Sequence, residues 1–405
     1  MSAPATAAAA PANTSDGTPP TSDFYAVEAL LEPEDRELLH RVRAFMDAEV
    51  APIIAGCWSR AEFPFQILPG LRELDVVGLA DAEFGRGRSE LVSGMVSMEL
   101  ARVDPSIATF YGVHSGLACT SVRLCGSDEQ KQRWLPAMRS MELIGAFALT
   151  EPDVGSGAAG GLTTTARRDG DSWILNGQKK WIGNATFADL TVVWARDEAD
   201  GQVKGFVVGK DAPGFTAVKQ EGKIALRVVQ NAEITLADVR VPEQDRLQRA
   251  RTFKDTAAVL RETRAGVAWM AVGCALGAYE HALRYAGRRE QFGKPIASFQ
   301  LVQDLLGRML GNTIASQCLM VRLSQLQDAG RMNDEQASLA KAFTTGRMRE
   351  TVGLARELLG GNGILLENHV ARFVADAEAI YSYEGTREIN SLIVGRAITG
   401  ISAFV

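Results

Sequence analysis

Residues 265–289 read AGVAWMAVGCALGAYEHALRYAGRR, and wound into a helix they leave almost no polar face. Such a helix has no side to show to water, so protein must surround it, as at the centre of a bundle. FQLVQDLLGRMLGNTIASQCLMVRLSQLQDAG, EQASLAKAFTTGRMRETVGLARELLG and REINSLIVGRAITGI follow with helical periodicity and short links. Four helices joined in this way predict a four-helix bundle over residues 246–405.

The stretch before it has a different period. TTTARRDGDSWILNGQKKWIG is two β-type runs around the turn Asp169-Gly170-Asp171-Ser172, and DLTVVWAR, KGFVVGK, GFTAVKQ and AEITLADVRV continue the pattern. Short strands with turn residues recurring between them predict an antiparallel β-barrel, placed over residues 146–245. Ahead of it, DRELLHRVRAFMDAEVAPII sets Leu38, Leu39, Val42, Phe45, Met46 and Val50 on one stripe. FQILPGLRELDVVGL, SELVSGMVSMELARV, HSGLACTSVRLCG and DEQKQRWLPAMRS are helical too, with Asp128 a candidate cap for the last. The chain reads as an α+β multidomain protein: a disordered tail over 1–23, an N-terminal helical domain over 24–145, the barrel, then the bundle.

Composition narrows the function. A net charge of −6 gives no global field for nucleic acid or anionic membrane, so an anionic ligand needs local groups. The five cysteines lack a C-x-x-C and the four histidines are not paired at ligand spacing, which argues against a disulfide framework and against a metal site. No apolar run is long enough to span a membrane. The first 23 residues hold no Lys or Arg, unlike a signal peptide or mitochondrial presequence, and the ending SAFV is not a peroxisomal address. A cytoplasmic location is expected.

Residues 155–160, GSGAAG, match the dinucleotide fingerprint G-x-G-x-x-G. That pattern carries its mechanism only between a strand and a helix, with an acid about twenty residues on. Here the turn-like EPDV precedes it, β-type residues follow it, and Lys179, Lys180 and Trp181 stand where the acid would be. A Rossmann domain is not expected.

Five further motifs, in this order and spacing, resemble the acyl-CoA dehydrogenase family: ALTEPDVGS at 148–156, WIGN at 181–184, RREQFGKPI at 288–296, LGGNG at 359–363 and YEGT at 383–386. ELARVD, TFADL, VQN, RELLGGNGI and GRAITGI place the chain nearest to glutaryl-CoA dehydrogenases and plant peroxisomal short-chain acyl-CoA oxidases. The resemblance implies a flavoenzyme of fatty acid β-oxidation that holds FAD and removes an α-proton and a β-hydride from an acyl-CoA. A flavin is required because no side chain accepts hydride.

The family's residues carry over as follows. Glu384 matches the catalytic base, a carboxylate whose pKa apolar surroundings must raise above ~4.3. Tyr383 and Gly385 flank it at the substrate, and the Glu384 N–H would bind the thioester carbonyl. Without the family, YEGT is an acidic turn with Thr386 capping the next helix. Thr386 also maps to the cofactor. Some relatives carry the base on a bundle helix directly before an arginine matched here by Arg264, and Thr263 at that place cannot serve. Arg264 maps near the CoA adenine, or is a surface ion-pair residue. Leu149 and Thr150 map to the flavin edge, and Gly155 and Ser156 to phosphate contacts, Ser156 also to substrate. Trp181 would pack on the ring beside Ile182 and Gly183; WIGN reads as a short loop between strands, an odd place for a purely structural tryptophan. Arg289, Gln291, Phe292, Gln300, Glu357 and Gly361 resemble residues that reach the FAD of a neighbouring subunit, which implies a homotetramer, or at least a dimer.

Three departures matter. Ala108 stands where glutaryl-CoA dehydrogenases have a substrate-binding arginine, so a plain acyl chain of short or medium length is expected. Gly183 replaces the usual Ser or Thr of W-I-S/T-N, a change shared with the plant oxidases, and Gly157 replaces an Asp. The expected electron acceptor is an electron-transferring flavoprotein. The alternatives are an oxidase that uses oxygen and a non-catalytic acyl-CoA-binding homologue.

Overall fold

The computed structural model describes residues 23–403, so the tail predicted over 1–23 lies outside them but for Asp23. The Asp23 carboxylate accepts the N–H of Val27 at 2.7 Å and of Glu28 at 3.1 Å. Helices α1 (Pro33–Phe45), α2 (Ala51–Arg60), α3 (Leu68–Leu74), α4 (Glu90–Val103), α5 (Pro105–Tyr111), α6 (Thr120–Cys125) and α7 (Asp128–Arg139) form the N-terminal block. A π-helical segment, Gly112–Cys119, joins α5 to α6 without breaking the helix. The cap of α7 is Ser127, not Asp128: Ser127 and Gln130 exchange side-chain and backbone bonds as a capping box.

The middle block is one seven-stranded sheet with the order β1-β4-β2-β3-β7-β6, and β5 paired to β4. Its strands are β1 (Gly145–Ala148), β2 (Thr165–Asp169), β3 (Ser172–Ile182), β4 (Leu190–Asp197), β5 (Val203–Gly209), β6 (Phe215–Lys219) and β7 (Ala232–Pro242). The turn expected at 169–172 joins β2 to β3, with Gly170 at φ 61°. Pairing is antiparallel except where β1 and β2 run parallel to β4. One helical turn, α8 (Ala158–Gly161), begins inside GSGAAG and ends one residue past it, and β2 follows. No dinucleotide-type strand–loop–helix forms there.

The C-terminal block holds α9 (Phe253–Arg288), α10 (Gln300–Asp328), α11 (Asp334–Leu359), α12 (Val370–Ser382) and α13 (Arg387–Thr399). The apolar segment that predicted a central helix is the C-terminal part of α9, and Ala265 to Tyr279 are buried there apart from Gly266. Gly273 and Gly277 lie on the backbone of α4, where a Cβ would strike the carbonyls of Met98 and Arg102. Two bare positions four residues apart therefore let α4 and α9 touch along their length. Helix α12 adds to the four helices read from periodicity.

Buried polar contacts lock α12 to the other two blocks. Arg372 pairs with Asp104, which caps α5 by accepting Ser106 N–H at 2.9 Å. Asp376 accepts Trp58 Nε1 at 2.9 Å and Leu226 N–H at 2.6 Å. These bonds fix the N-terminal half of α12, and the turn after its other end carries Glu384. Among the described residues no helix is long and apolar enough to cross a membrane.

Candidate active site

A cavity of about 1310 Å³ opens where the three blocks meet. Its walls come from α4, the π-helical segment, α9, the stretch after β1, the end of β3, and the turn between α12 and α13. Leu149, Thr150, Gly155, Ser156, Trp181, Ile182, Gly183, Arg264, Tyr383, Glu384, Gly385 and Thr386 all line it.

Glu384 sits in a tight reversal. It has φ 54° and Gly385 φ 85°, so two successive left-handed residues turn the chain from α12 into α13. A non-glycine residue there costs about 1–3 kcal/mol of backbone strain and persists only because its surroundings hold it. Thr386 caps α13 through Ile389 N–H at 3.3 Å, and Asn390 Nδ2 donates to the Gly385 carbonyl at 2.8 Å. The carboxylate accepts from Thr263 Oγ1 at 3.0 Å. Burial raises the Glu384 pKa, against the Thr263 bond and the charges of Arg264 and Lys341, and the net shift is upward. Beside it, the Tyr383 hydroxyl lies 3.2 Å from Thr109 Oγ1, and burial pushes its phenol up.

The part of the wall formed by Leu149 and Thr150 is braced by Glu151, which is buried and does not itself line the cavity. Its carboxylate accepts Thr163 N–H at 2.7 Å, Thr163 Oγ1 at 2.6 Å, Thr164 N–H at 2.9 Å and Lys179 Nζ at 3.0 Å. Burial works to raise its pKa, but Lys179 and the threonine bonds outweigh it and hold it at about 2. Lys179 also donates to the Leu149 carbonyl at 3.0 Å, and Lys180 N–H to that of Thr150 at 2.8 Å. Leu149 and Thr150 are thereby pinned along β3.

Trp181 belongs to the end of β3, not to a loop. A register shift between Lys179 and Ile182, with Trp181 at φ 65°, turns its indole out of the sheet and leaves it 56% exposed on the cavity. Gln220 and Asn231 hold its backbone N–H and carbonyl at 3.2 and 3.3 Å. Gly183 is close-packed: a Cβ there would lie 3.0 Å from Val113 Cγ2, so Val113 fills the place of the usual side chain. At Gly157 a Cβ would meet nothing within 4 Å.

This arrangement fits a flat aromatic cofactor. An exposed indole and the apolar Leu149 and Ile182 line one region, and the hydroxyls of Thr150 and Ser156 have no protein partner among the described residues. Arg264 Nε is buried without a hydrogen-bond partner, which leaves a cation free for an anionic group.

Family models of the N-terminal, middle and C-terminal domains of acyl-CoA dehydrogenase match residues 32–142, 146–239 and 253–399. An acyl-CoA dehydrogenase of Bacillus subtilis (strain 168) is 33% identical over 89% of this chain and 96% of its own. The chain belongs to the acyl-CoA dehydrogenase family. A crystal structure of glutaryl-CoA dehydrogenase from Mycobacterium smegmatis superposes with a TM-score of 0.90 at 39% identity, covering 95% of this chain and 99% of that one. Another structure of a glutaryl-CoA dehydrogenase from M. smegmatis, in complex with FADH2, matches with a TM-score of 0.91 at 35% identity, covering 94% and 98%.

Not every residue matched to this family meets the cavity. Arg289, Gln291, Phe292, Gln300, Glu357 and Gly361 are exposed and away from it. Arg289, Gln291 and Phe292 belong to a hairpin of β8 (Glu290–Gln291) and β9 (Lys294–Pro295), with Phe292 at the tip, 93% exposed. The Asn362–Tyr285 bond of 2.7 Å brings the glycine turn after α11 to the same end of α9. Ala108 is buried among core residues and does not line the cavity, whereas Thr109 does.

Three contributors escape a reading of the sequence. Glu151 lies inside the ALTEPDVGS motif, but nothing in the motif tells its carboxylate from a solvated one. Thr263 is notable there only as a residue unable to act as base. Lys341 shares the buried face of α11 with Ala337, Thr344, Thr345 and Met348, and a lone lysine on an apolar stripe is the signal that could have found it.

Proposed function

We propose that this chain is an FAD-dependent acyl-CoA dehydrogenase that converts a short- or medium-chain, uncharged acyl-CoA to its trans-2-enoyl-CoA, with Glu384 as the base. The observation that carries the reading is the Glu384 carboxyl: turned into the cavity, hydrogen-bonded to Thr263, and raised in pKa by burial. A carboxylate so placed is a stronger base than one in water, and stays close to any α-carbon that the cavity holds.

FAD, when bound, supplies the hydride acceptor. Leu149, Thr150, Trp181, Ile182 and Gly183 would hold its ring system, Thr386 would adjoin it, and Gly155 and Ser156 would meet its phosphates. Ser156 would also face the substrate. Arg264 offers its unpartnered guanidinium to the CoA moiety. Tyr383 and Gly385 flank the base, and the Glu384 N–H is assigned to the thioester carbonyl, where it would stabilise developing enolate charge.

Support for an uncharged acyl group comes from the walls beside Glu384. Gly112, Val113, Gly116, Leu260, Trp269 and Met270 give the cavity apolar surface, the cation Arg123 is paired with Glu262, and Arg264, the cation facing Glu384, is assigned to the CoA moiety. Arg289, Gln291, Phe292, Gln300, Glu357 and Gly361 would complete the FAD site of a neighbouring subunit. The 93% exposed Phe292 supports such an association, a homotetramer in this reading. Electrons would pass to an electron-transferring flavoprotein in the cytoplasm. Oxygen as acceptor is the second reading, favoured by Gly183.

The test is anaerobic bleaching of the flavin by acyl-CoAs of graded length, with glutaryl-CoA included and Glu384→Gln as control. Fast bleaching by straight chains, slow bleaching by glutaryl-CoA, and an inert but yellow control support the proposal. Equal bleaching by the control places the base elsewhere, and a protein that takes up no FAD is a non-catalytic homologue. Reoxidation in air on the catalytic timescale would establish the oxidase reading.

A further inference from the structure

Lys341, on α11, is fully buried. Its Nζ donates to two carbonyl oxygens, of Tyr381 at 2.7 Å and of Gly385 at 2.9 Å. Those carbonyls lie on either side of Glu384, three residues before it and one after. No carboxylate lies within 4.0 Å of the ammonium among the described residues. An unpaired buried charge is costly, and a long apolar side chain would fill the same space without that cost. The ammonium does what an apolar group cannot: it ties a carbonyl of the last turn of α12 to the Gly385 carbonyl ahead of α13.

Its electrical setting points the same way. Burial lowers the Lys341 pKa to about 8; Glu384 and Glu388 raise it, and Arg264 lowers it. The charged groups facing Glu384 are Arg264 from α9 and Lys341 from α11, with Thr263 as the hydrogen-bond donor. Lys341 therefore acts on the base from the protein side, while Arg264 lines the cavity.

We propose that Lys341 is a positioning residue for Glu384, tying the carbonyls of Tyr381 and Gly385 so that the left-handed turn holds the carboxylate towards the cavity. The inference rests on Glu384 being the base.

The experiment uses the holoenzyme with an acyl-CoA that bleaches the wild-type flavin, and compares Lys341→Gln, Lys341→Arg and Glu384→Gln. Displacing a reacting group by up to about 1 Å slows a reaction by as much as roughly 100-fold. Lys341→Gln should lose that much in the rate of flavin reduction at saturating substrate, while acyl-CoA affinity changes less than about threefold. Loss of the positive charge should also move the acid limb of its pH profile upwards. Lys341→Arg keeps the charge, but its guanidinium is planar and larger than the ammonium it replaces. It should therefore be slower than wild type with the acid limb unmoved, and it carries the test if the glutamine variant does not accumulate with FAD. Wild-type reduction rates in either variant overturn the proposal. A fast Glu384→Gln enzyme instead overturns the assignment of the base, so the two failures are distinct.

Discussion

Thr263 Oγ1 donates to Glu384 Oε2 at 3.0 Å, joining positions 121 residues apart on α9 and on the turn after α12. The proposed base and the helix position that the resemblance sets against it therefore converge on one point of the cavity wall. In this chain the helix position holds a hydroxyl, and it favours the ionised form of the carboxylate opposite.

Removing that hydroxyl has a signed consequence. Thr263→Val deletes a bond made to the charged carboxylate, so the Glu384 pKa, already raised by burial, should rise further. The acid limb of flavin reduction against pH then moves up by about one unit, the scale of a single hydrogen bond to a charged group. Activity falls on the acid side of the profile and recovers as pH rises. A profile superimposable on that of wild type would show that the bond does not tune the base.

Stability should move opposite to activity at Glu384 itself. Its folded pKa lies above the unfolded value because of burial. Well below the unfolded pKa both states are protonated and the group is neutral in its effect. As pH rises, the unfolded chain ionises first, so stability is lost through the folded pKa and stays lost above it. Glu384→Gln should therefore melt at a higher temperature than wild type at pH 7–8, with the gap closing as pH falls towards 4. Thermal midpoints of the two holoenzymes across that range check the sign.

The pair Glu151–Lys179 predicts the reverse dependence. With Glu151 held at about 2, its contribution is present above the unfolded carboxylate pKa and is lost as pH falls through the folded one. Both side chains are buried, so Glu151→Gln leaves the Lys179 charge without its counter-ion. The expected cost is about 3–5 kcal/mol in denaturant unfolding. FAD retention should weaken as well, because the same carboxylate holds the 163–164 backbone and Lys179 holds Leu149. A variant with unchanged unfolding midpoint would mean that relaxation or water replaces the pair.

What is legible in the sequence follows from how each feature encodes itself. The all-apolar segment of α9 and the alternation in β7 are periodic, and β4 is a short apolar run between turns, so the residue pattern alone marks out the three blocks. Strand β1 is only four residues long, and its partner β4 is some forty residues away, so no local period marks it. Glu384 and Trp181 stand out through motifs, and the cavity brings them together. Lys341 and Glu151 do not, because their roles depend on burial, which a charged residue type does not announce. Arg289, Phe292 and Gly361 lie outside the cavity, and the resemblance is what assigns them to a neighbouring subunit.

Gly183 and Val113 form a coupled pair that can be tested directly. A Cβ at position 183 would sit 3.0 Å from Val113 Cγ2, close enough that this side chain must give way slightly, and in ordinary contact with Val229 Cγ1 at 3.7 Å. Gly183→Ser, which restores the hydroxyl usual in this family, should therefore cost about 1–3 kcal/mol of stability through overpacking. Val113 lies in the π-helical segment, whose side chains also wall the cavity, so truncating it makes room at the point of conflict. In the double variant Gly183→Ser/Val113→Ala, most of that loss should be recovered, giving a favourable coupling on the order of 1 kcal/mol in a double-mutant cycle. Denaturant unfolding of the four proteins measures the coupling. If the two changes add independently, the glycine is not there to accommodate Val113, and the departure from the family pattern needs another cause.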